Sequence, residues 1–225
     1  MAGVKNWSYS SATMFEKCPK QYYHLNVVKD VKQDFDAPHF AYGNEVHKAA
    51  ELYIGSGVPL PTKFEVFQRP LDMLNNIPGK KYCEFRLGLT RDLEPVEFFG
   101  DGVWWRGIID LLIIDEDSKT ATLIDYKTGK SSRFADTRQL SLLSAAVFKH
   151  FPNIETVKAG LMFLVSKELI KEDFKHYSVD DMIGEWDTTI KRLDTAIDTN
   201  VFNPSPNFAC KSFCPVEKCQ HWGKG

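Results

Sequence analysis

The spacing of apolar and polar positions changes along the chain, and each change marks an element. Within residues 104–127, two apolar runs, 108–114 and 120–124, flank a polar break at 115–119. Both runs are rich in Ile, Leu and Thr and are of strand length. The break has the composition of a turn, so the pattern predicts a β-hairpin. With its turn centred on Asp117 and Ser118, residues whose numbers sum to 235 face each other, and Asp110 stands opposite Asp125. Strict alternation predicts a further strand over 82–89, with Cys83, Phe85, Leu87 and Leu89 on one face and Glu84 and Arg86 on the other. Residues 94–99 and 102–105 read as a second hairpin around Gly100, Asp101 and Gly102. Residues 156–165 and 170–177 read as a last pair of strands joined across Ser166 and Lys167.

Helical spacing dominates elsewhere. The segment 7–28 places Met14, Phe15, Cys18, Tyr22 and Leu25 on one side, with a serine run suited to capping its start and Pro19 interrupting it. Residues 39–54 carry Phe40, Val46, Ala50 and Tyr53 on one face, and a charged loop over 28–38 precedes them. Residues 62–75, 134–151 and 180–199 are also predicted as helices. The stripe Met182, Trp186, Ile190, Leu193 and Ile197 reads as plain core packing. The connector after Lys127 has no nucleotide-binding loop, because it lacks the G-x-x-x-x-G-K-[ST] arrangement.

The hairpin register changes what the charges mean. Two carboxylates facing each other across a ladder repel, and the arrangement asks for a proton or a hard divalent cation between them. Lys127 lies two residues beyond Asp125 and leaves its strand by the same face. Two acids with a neighbouring ammonium group can hold Mg²⁺ or Mn²⁺ and polarise a water.

Composition adds bounds. The 225 residues, 43% apolar and 26% charged, suffice for a single domain spanning 1–225. No run approaches a membrane span and the first residues carry no signal-like segment, so a cytoplasmic protein that contacts no membrane is expected. The five cysteines then read as thiols or metal ligands. The net charge of −2 leaves no broad basic footprint. Lys127, Lys130, Arg133 and Arg138 still form a local basic patch beside the hairpin. Cys210, Cys214 and Cys219 fall within ten residues of a Pro-broken tail, which is a strong metal signal. With Cys18 they would make an all-sulfur site suited to [4Fe–4S], and with His221 a site suited to Zn²⁺.

Gly107-Ile108-Ile109-Asp110 followed by Ile124-Asp125-Tyr126-Lys127 resembles the core of the PD-(D/E)XK nuclease superfamily, most closely its RecB-like exonuclease branch. Gly43-x-x-x-His47 resembles the helix that brings a histidine to that site. Gln139 begins what resembles the Q-x-x-x-Y helix, with Leu143 in place of Tyr. Cys18-Pro-x-x-Tyr22-Tyr23 together with the three late cysteines resembles an iron–sulfur subgroup that includes CRISPR adaptation nucleases and phage exonucleases. The 210–214 spacing is one residue longer than the usual C-x-x-C.

The resemblance implies an α/β fold with a mixed central sheet flanked by helices, a restriction-endonuclease-like core. Segments 7–28 and 203–221 would then be tied by the iron–sulfur or zinc site into a wall over that core. It implies Asp110, Asp125 and His47 as ligands of Mg²⁺ or Mn²⁺, Lys127 as the group that orients the attacking water, and Gln139 as a substrate or metal-water contact. Lys130, Arg133 and the aromatic Tyr22 are the expected substrate contacts. The implied activity is exonucleolytic hydrolysis of DNA, from single-stranded ends, in phage or bacterial replication or recombination and with proteins of those processes as partners. Rival readings are a CRISPR adaptation nuclease and a non-catalytic single-stranded-DNA-binding module of the same fold. The complete set Asp110, Asp125 and Lys127 argues against the latter.

Overall fold

A computed structural model of the chain describes residues 5–32 and 38–224, without the side chains of 38–40. In chain order the α-helices are α1 (Tyr9–Lys17), α2 (Pro19–Tyr22), α3 (Pro38–Ser56), α4 (Gln68–Asn75), α5 (Arg138–His150), α6 (Val179–Gly184) and α7 (Asp187–Thr199). The strands are β1 (Lys80–Leu89), β2 (Pro95–Val96), β3 (Trp105–Asp115), β4 (Thr120–Lys127), β5 (Thr156–Phe163) and β6 (Glu168–Lys175). The chain divides into two compact units, Asp36–Gly184 and the combination of Met1–Phe35 with Glu185–Gly225.

The Asp36–Gly184 unit is built on a six-stranded sheet in the order β2-β1-β3-β4-β5-β6. Its β3–β4 hairpin pairs Leu111 with Ile124 and Asp115 with Thr120, the register expected from the apolar runs. The turn is closed by Asp115, whose carboxylate accepts from Ser118 N at 3.2 Å and Ser118 Oγ at 2.7 Å. β4 and β5 are parallel, a pairing that needs a crossover, and α5 supplies it. The sheet is therefore mixed and helix-flanked, as the resemblance implied. Val46, Ala50 and Ile54 of α3 and Leu71 and Leu74 of α4 pack on Leu111, Ile113, Ile124 and Tyr126. Residues 140–148 of α5 are buried all round, serines included, as befits a helix wedged along several strands.

Several boundaries differ from expectation, each for a local reason. Residues 94–99 do not pair with 102–105. Only Pro95 and Val96 are strand, and they pair with Leu89 and Gly88 of β1, while Trp104 N donates to Leu89 O. The 134–151 helix begins at Arg138, after a turn in which Ala135 N donates to Ser132 O. The 62–75 helix opens with a 3₁₀ stretch, Thr62–Phe67. The 180–199 helix breaks after Gly184, a residue whose backbone freedom disfavours helix interiors. Residues 33–37 of the expected charged loop, and the Phe40 side chain, lie outside the described residues.

Strand alternation in β1 is also corrected. Tyr82 and Phe85, expected on opposite faces, both pack on Phe151 with tilted rings, their centroids 6.3 and 5.9 Å away. Cys83 packs instead against the α3–α4 core cluster. The reset occurs at Glu84, whose φ of +51° is left-handed and shifts the strand by one residue of its pleat.

In the unit formed by the chain ends, Ser8 and Ser11 cap α1 reciprocally, Ser11 N to Ser8 Oγ at 3.3 Å and Ser8 N to Ser11 Oγ at 2.9 Å. α1 stops at Cys18, which is extended, because Pro19 restricts the residue before it and starts α2. A π-helical turn, Tyr23–Val27, follows. The core of this unit is aromatic: Trp7 lies 5.7 Å from Trp186, and Tyr22 stacks on Phe202. Tyr22 is 4% exposed and so has no face to offer a base, which corrects the expectation that it contacts substrate. Among the described residues no helix is long and apolar enough to cross a membrane.

Candidate active site

The chemically interesting side chains of the Asp36–Gly184 unit gather where the β1–β3–β4 ladders are interrupted. β1 and β3 pair with residue numbers summing to 194 on both sides of Glu84 and Asp110, but those two residues form no rung. The β3–β4 ladder likewise ends at Leu111 and Ile124, one step short of Asp110 and Asp125. Three adjacent strands thus each contribute one carboxylate at the same level, where the backbone departs from regular pairing. Asp110 fills part of the gap itself: its Oδ2 accepts from Tyr126 N at 2.6 Å, replacing a ladder bond with a side-chain bond. The two aspartates are therefore not a simple cross-strand pair.

His47 reaches this point from α3. One turn before it, Gly43 lies against the connector after β4, where a Cβ would make ordinary contact with Thr128 Oγ1 at 3.4 Å. His47 Nδ1 is 3.3 Å from Asp110 Oδ1. Donor atoms of His47, Glu84 and Asp110 lie within 4.8 Å of one another. Among the described residues no other group of three or more His, Cys, Asp or Glu donors converges so closely. Gly107 is held tightly: a Cβ there would meet the Trp105 ring at 2.7 Å and Leu143 of α5 at 2.8 Å.

Asp125 is held apart from that trio by α5. Gln139 Nε2 donates to Asp125 Oδ1 at 2.5 Å, and Lys127 Nζ donates to Gln139 Oε1 at 2.9 Å. The Lys127 ammonium lies 2.5 Å from Asp125 Oδ2 as an ion pair, yet that buried oxygen receives no well-directed hydrogen bond. The Asp125 side chain is 7% exposed and that of Lys127 34%. Both ends of the Gln139 amide are thus engaged by Asp125 and Lys127.

Electrostatics follow from this crowding. Burial, with the Asp110 charge adding, pushes Asp125 up to about 6 against the pull of Lys127. Burial and then Asp110 also raise Glu84. For His47, burial alone would lower the pKa, but Asp110, with Asp125 and Glu84, more than reverses this. The site therefore holds more negative charge than its own cations neutralise. An oxygen-rich donor set with one imidazole and an under-satisfied buried carboxylate oxygen fits a hard or borderline divalent cation.

Lys130 and Arg133 are exposed on the connector after β4, and the Arg133 guanidinium lies 5.3 Å over the exposed Phe134 ring. Arg138 is turned to Asp136, with 2.7 Å between Nη2 and Oδ2. Glu84 is the donor whose role sequence reasoning left unassigned. The signal for it was the β1–β3 register, which aligns it with Asp110.

In the other unit, Cys18, Cys210, Cys214, Cys219 and His221 line one cleft with Pro204, Pro206 and Val216. Backbone amides point at two of the sulfurs: Ser205 N to Cys18 Sγ and Asn207 N to Cys210 Sγ, both at 3.5 Å. Burial raises the Cys214 thiol, a backbone bond at Val216 opposes this, and the other three sulfurs reinforce it. In a mononuclear tetrahedral site with Zn–S near 2.3 Å, sulfurs sit about 3.8 Å apart. No three of these thiols meet within 4.8 Å, so they are spread more widely than that. His24 and Lys218 both bind the Asp30 carboxylate, joining the two chain segments of this unit.

A family model described as the PD-(D/E)XK nuclease superfamily matches residues 82–219. No curated protein matches the chain by sequence. Among solved structures, SSO0001 superposes with a TM-score of 0.51 at 14% identity, over 99% of this chain and 89% of that one. A candidate exonuclease from Eubacterium rectale superposes with a TM-score of 0.52 at 10% identity, over 96% of this chain and 86% of that one. At such identities the likeness is one of fold.

Proposed function

The chain belongs to the PD-(D/E)XK nuclease superfamily, and from that membership we propose that it is a metal-dependent deoxyribonuclease that degrades DNA from single-stranded ends. The observation that carries the reading is the meeting of Glu84, Asp110 and His47 where two ladders are interrupted together, with the Asp125–Lys127 ion pair at the same level on the next strand. Glu84, Asp110, His47 and Asp125 would hold Mg²⁺ or Mn²⁺. Bound there, such a cation supplies charge stabilisation at a phosphate oxygen and lowers the pKa of a coordinated water.

The chain's own groups do the rest. Lys127 places an ammonium beside the reacting phosphate, where it orients the attacking water and balances charge that develops on the phosphoryl oxygens. Gln139 fixes the Asp125 and Lys127 side chains relative to each other. Tyr126 N fixes one Asp110 oxygen and leaves the other facing His47. Lys130 and Arg133, exposed beside these groups, would contact the phosphodiester backbone.

Action on ends is supported by the fold shared with the Eubacterium rectale candidate exonuclease and by the match to the RecB-like motifs. Replication or recombination, in a phage or a bacterium, is the corresponding setting. For the cysteine cleft we propose [4Fe–4S] with Cys18, Cys210, Cys214 and Cys219 as ligands. Its support is the wide spacing of the thiols and the amides directed at sulfur. Zn²⁺ with His221 is the alternative.

The deciding test is cleavage of end-labelled single-stranded DNA with Mn²⁺, Mg²⁺ or EDTA, beside Lys127→Ala. Metal-dependent shortening that vanishes in the variant is expected and gives the polarity. Tight binding without cleavage by wild-type protein with its cysteine site loaded would refute the reading.

A further inference from the structure

We propose that Phe98 and Phe99, gripped by Arg86 and Arg106, form a stacking platform for unpaired bases of the substrate strand. The proposal rests on the nuclease reading and names the form of substrate that the site selects. The two rings meet edge to face at 4.8 Å. The Arg86 guanidinium lies 5.5 Å over Phe98 and 6.0 Å over Phe99, and that of Arg106 lies 5.3 and 5.6 Å over the same rings. Phe99 is 74% exposed, so the cluster is no core contact. Among the described residues neither arginine is engaged by a carboxylate, which leaves both charges available to phosphate.

The turn that presents the rings is built for it. Gly88 sits under Val96 O, where a Cβ would approach to 2.8 Å, and Gly100 sits against the Val96 side chain, where a Cβ would approach to 2.9 Å. These two positions let residues 95–103 fold down tightly on β1. Gly100 N then donates to Glu97 O at 2.8 Å.

Position relative to the acids gives the cluster its use. Arg86 lies two residues from Glu84 along β1, and Arg106 four residues from Asp110 along β3, so the backbone positions of the two arginines lie about 7 Å and about 13 Å along their strands from those of the acids. Arg86 pairs with Ile108 and Gly88 with Arg106 across the ladder, so the cluster is one continuous patch of two strands. Ile108, 38% exposed, adds apolar surface between the platform and Asp110. Aromatic faces beside unpaired cations bind single strands without sequence preference, because every base has a π-face and every linkage a phosphate. In a duplex those base faces are already stacked. The patch therefore favours single-stranded over duplex DNA close to the scissile bond.

Binding in EDTA tests this without any hydrolysis. A labelled oligothymidylate and an abasic strand of the same length are titrated with wild type, Phe99→Ala and Phe99→Tyr, with circular dichroism to confirm folding. Phe99→Ala should bind the oligothymidylate roughly five- to a hundredfold more weakly, with the abasic strand unaffected and Phe99→Tyr close to wild type. Wild-type affinity in Phe99→Ala, or an equal loss on both strands, overturns the platform; the first of these outcomes would leave the face to a protein partner. In Mn²⁺, Phe99→Ala should raise KM on the oligonucleotide with kcat unchanged, and hydrolyse thymidine 5′-p-nitrophenyl phosphate like wild type. If wild type hydrolyses neither substrate while base-dependent binding persists, the platform stands and the nuclease reading falls.

Discussion

Replacing Asp125 with Asn should abolish cleavage and at the same time stabilise the cation-free protein. Asn and a protonated Asp are near-isosteres, and Asn keeps the oxygen that accepts from Gln139. The displaced pKa is then a direct measure of what the buried charge costs. Burial lifts the carboxyl from 3.8 to about 6 even with Lys127 beside it. At about 1.4 kcal/mol per pH unit this amounts to about 3 kcal/mol. The sign is set by proton binding: between these two values the folded state keeps a proton that the unfolded state has lost. Wild-type stability therefore falls as pH rises through the window, and the full cost is present above about 6. Asp125→Asn carries no such cost, so the two proteins should be equally stable below about pH 4 and diverge above it. Near pH 7.5 the variant should melt roughly 6–12 °C higher in EDTA. Added Mn²⁺ should raise the melting temperature of wild type far more than that of the variant, since only wild type keeps the full donor set. Thermal melts by circular dichroism across pH, with and without Mn²⁺, make the measurement. A variant that melts lower than wild type at pH 7.5 in EDTA, or a difference that does not change with pH, would refute the reasoning.

Glu84→Gly should likewise trade function for stability: glycine relieves the left-handed φ at that position, so chemical denaturation in EDTA should show about 1 kcal/mol of gain while cleavage drops at least tenfold. Because Asp125 and Glu84 both hold protons above the usual carboxylate range, kcat/KM should fall as pH drops below about 6, and more Mn²⁺ should move that midpoint to lower pH; a midpoint indifferent to Mn²⁺ would contradict it. Cys18→Ser should lower the iron or zinc content measured by elemental analysis and lower the melting temperature; unchanged content would move the fourth ligand to His221. Gln139→Ala should leave DNA binding in EDTA near wild type and reduce kcat, since its amide contacts Asp125 and Lys127; a pure rise in KM would return it to a substrate contact.

The hairpin was legible because its two apolar runs and short polar turn leave one register that buries both, and Asp110 and Asp125 stand one step beyond its last rung, Leu111 with Ile124. Lys127 and Asp125 sharing a face needed only the pleat. Glu84 was harder, because alternation puts it on the face opposite Cys83, whereas both meet residues of α3. A single left-handed residue resets the pleat, and no apolar pattern encodes a φ angle. Gln139 could be placed on a helix, but that both ends of its amide would be engaged depends on how α5 crosses the sheet. Tyr22 failed for the opposite reason: an aromatic at helical spacing looks the same whether it meets a base or, as here, Phe15 and Phe202. The Phe98–Phe99 cluster was invisible while residues 94–105 were read as a hairpin, since its arginines come from two strands that pair only in three dimensions.

One unit of the molecule is assembled from the two ends of the chain, while the other is continuous in sequence. That asymmetry has a kinetic meaning during synthesis. Residues 36–184 can complete their ladders as soon as they leave the ribosome. The aromatic core around Trp7 must wait for Trp186, and Cys18 must wait for Cys210. Closing a free loop of that length would cost about 5 kcal/mol of chain entropy, most of which a folded intervening unit removes beforehand. Closure of the cysteine cleft is then the last act of folding, and a ribosome stalled before residue 210 releases a chain that cannot complete it.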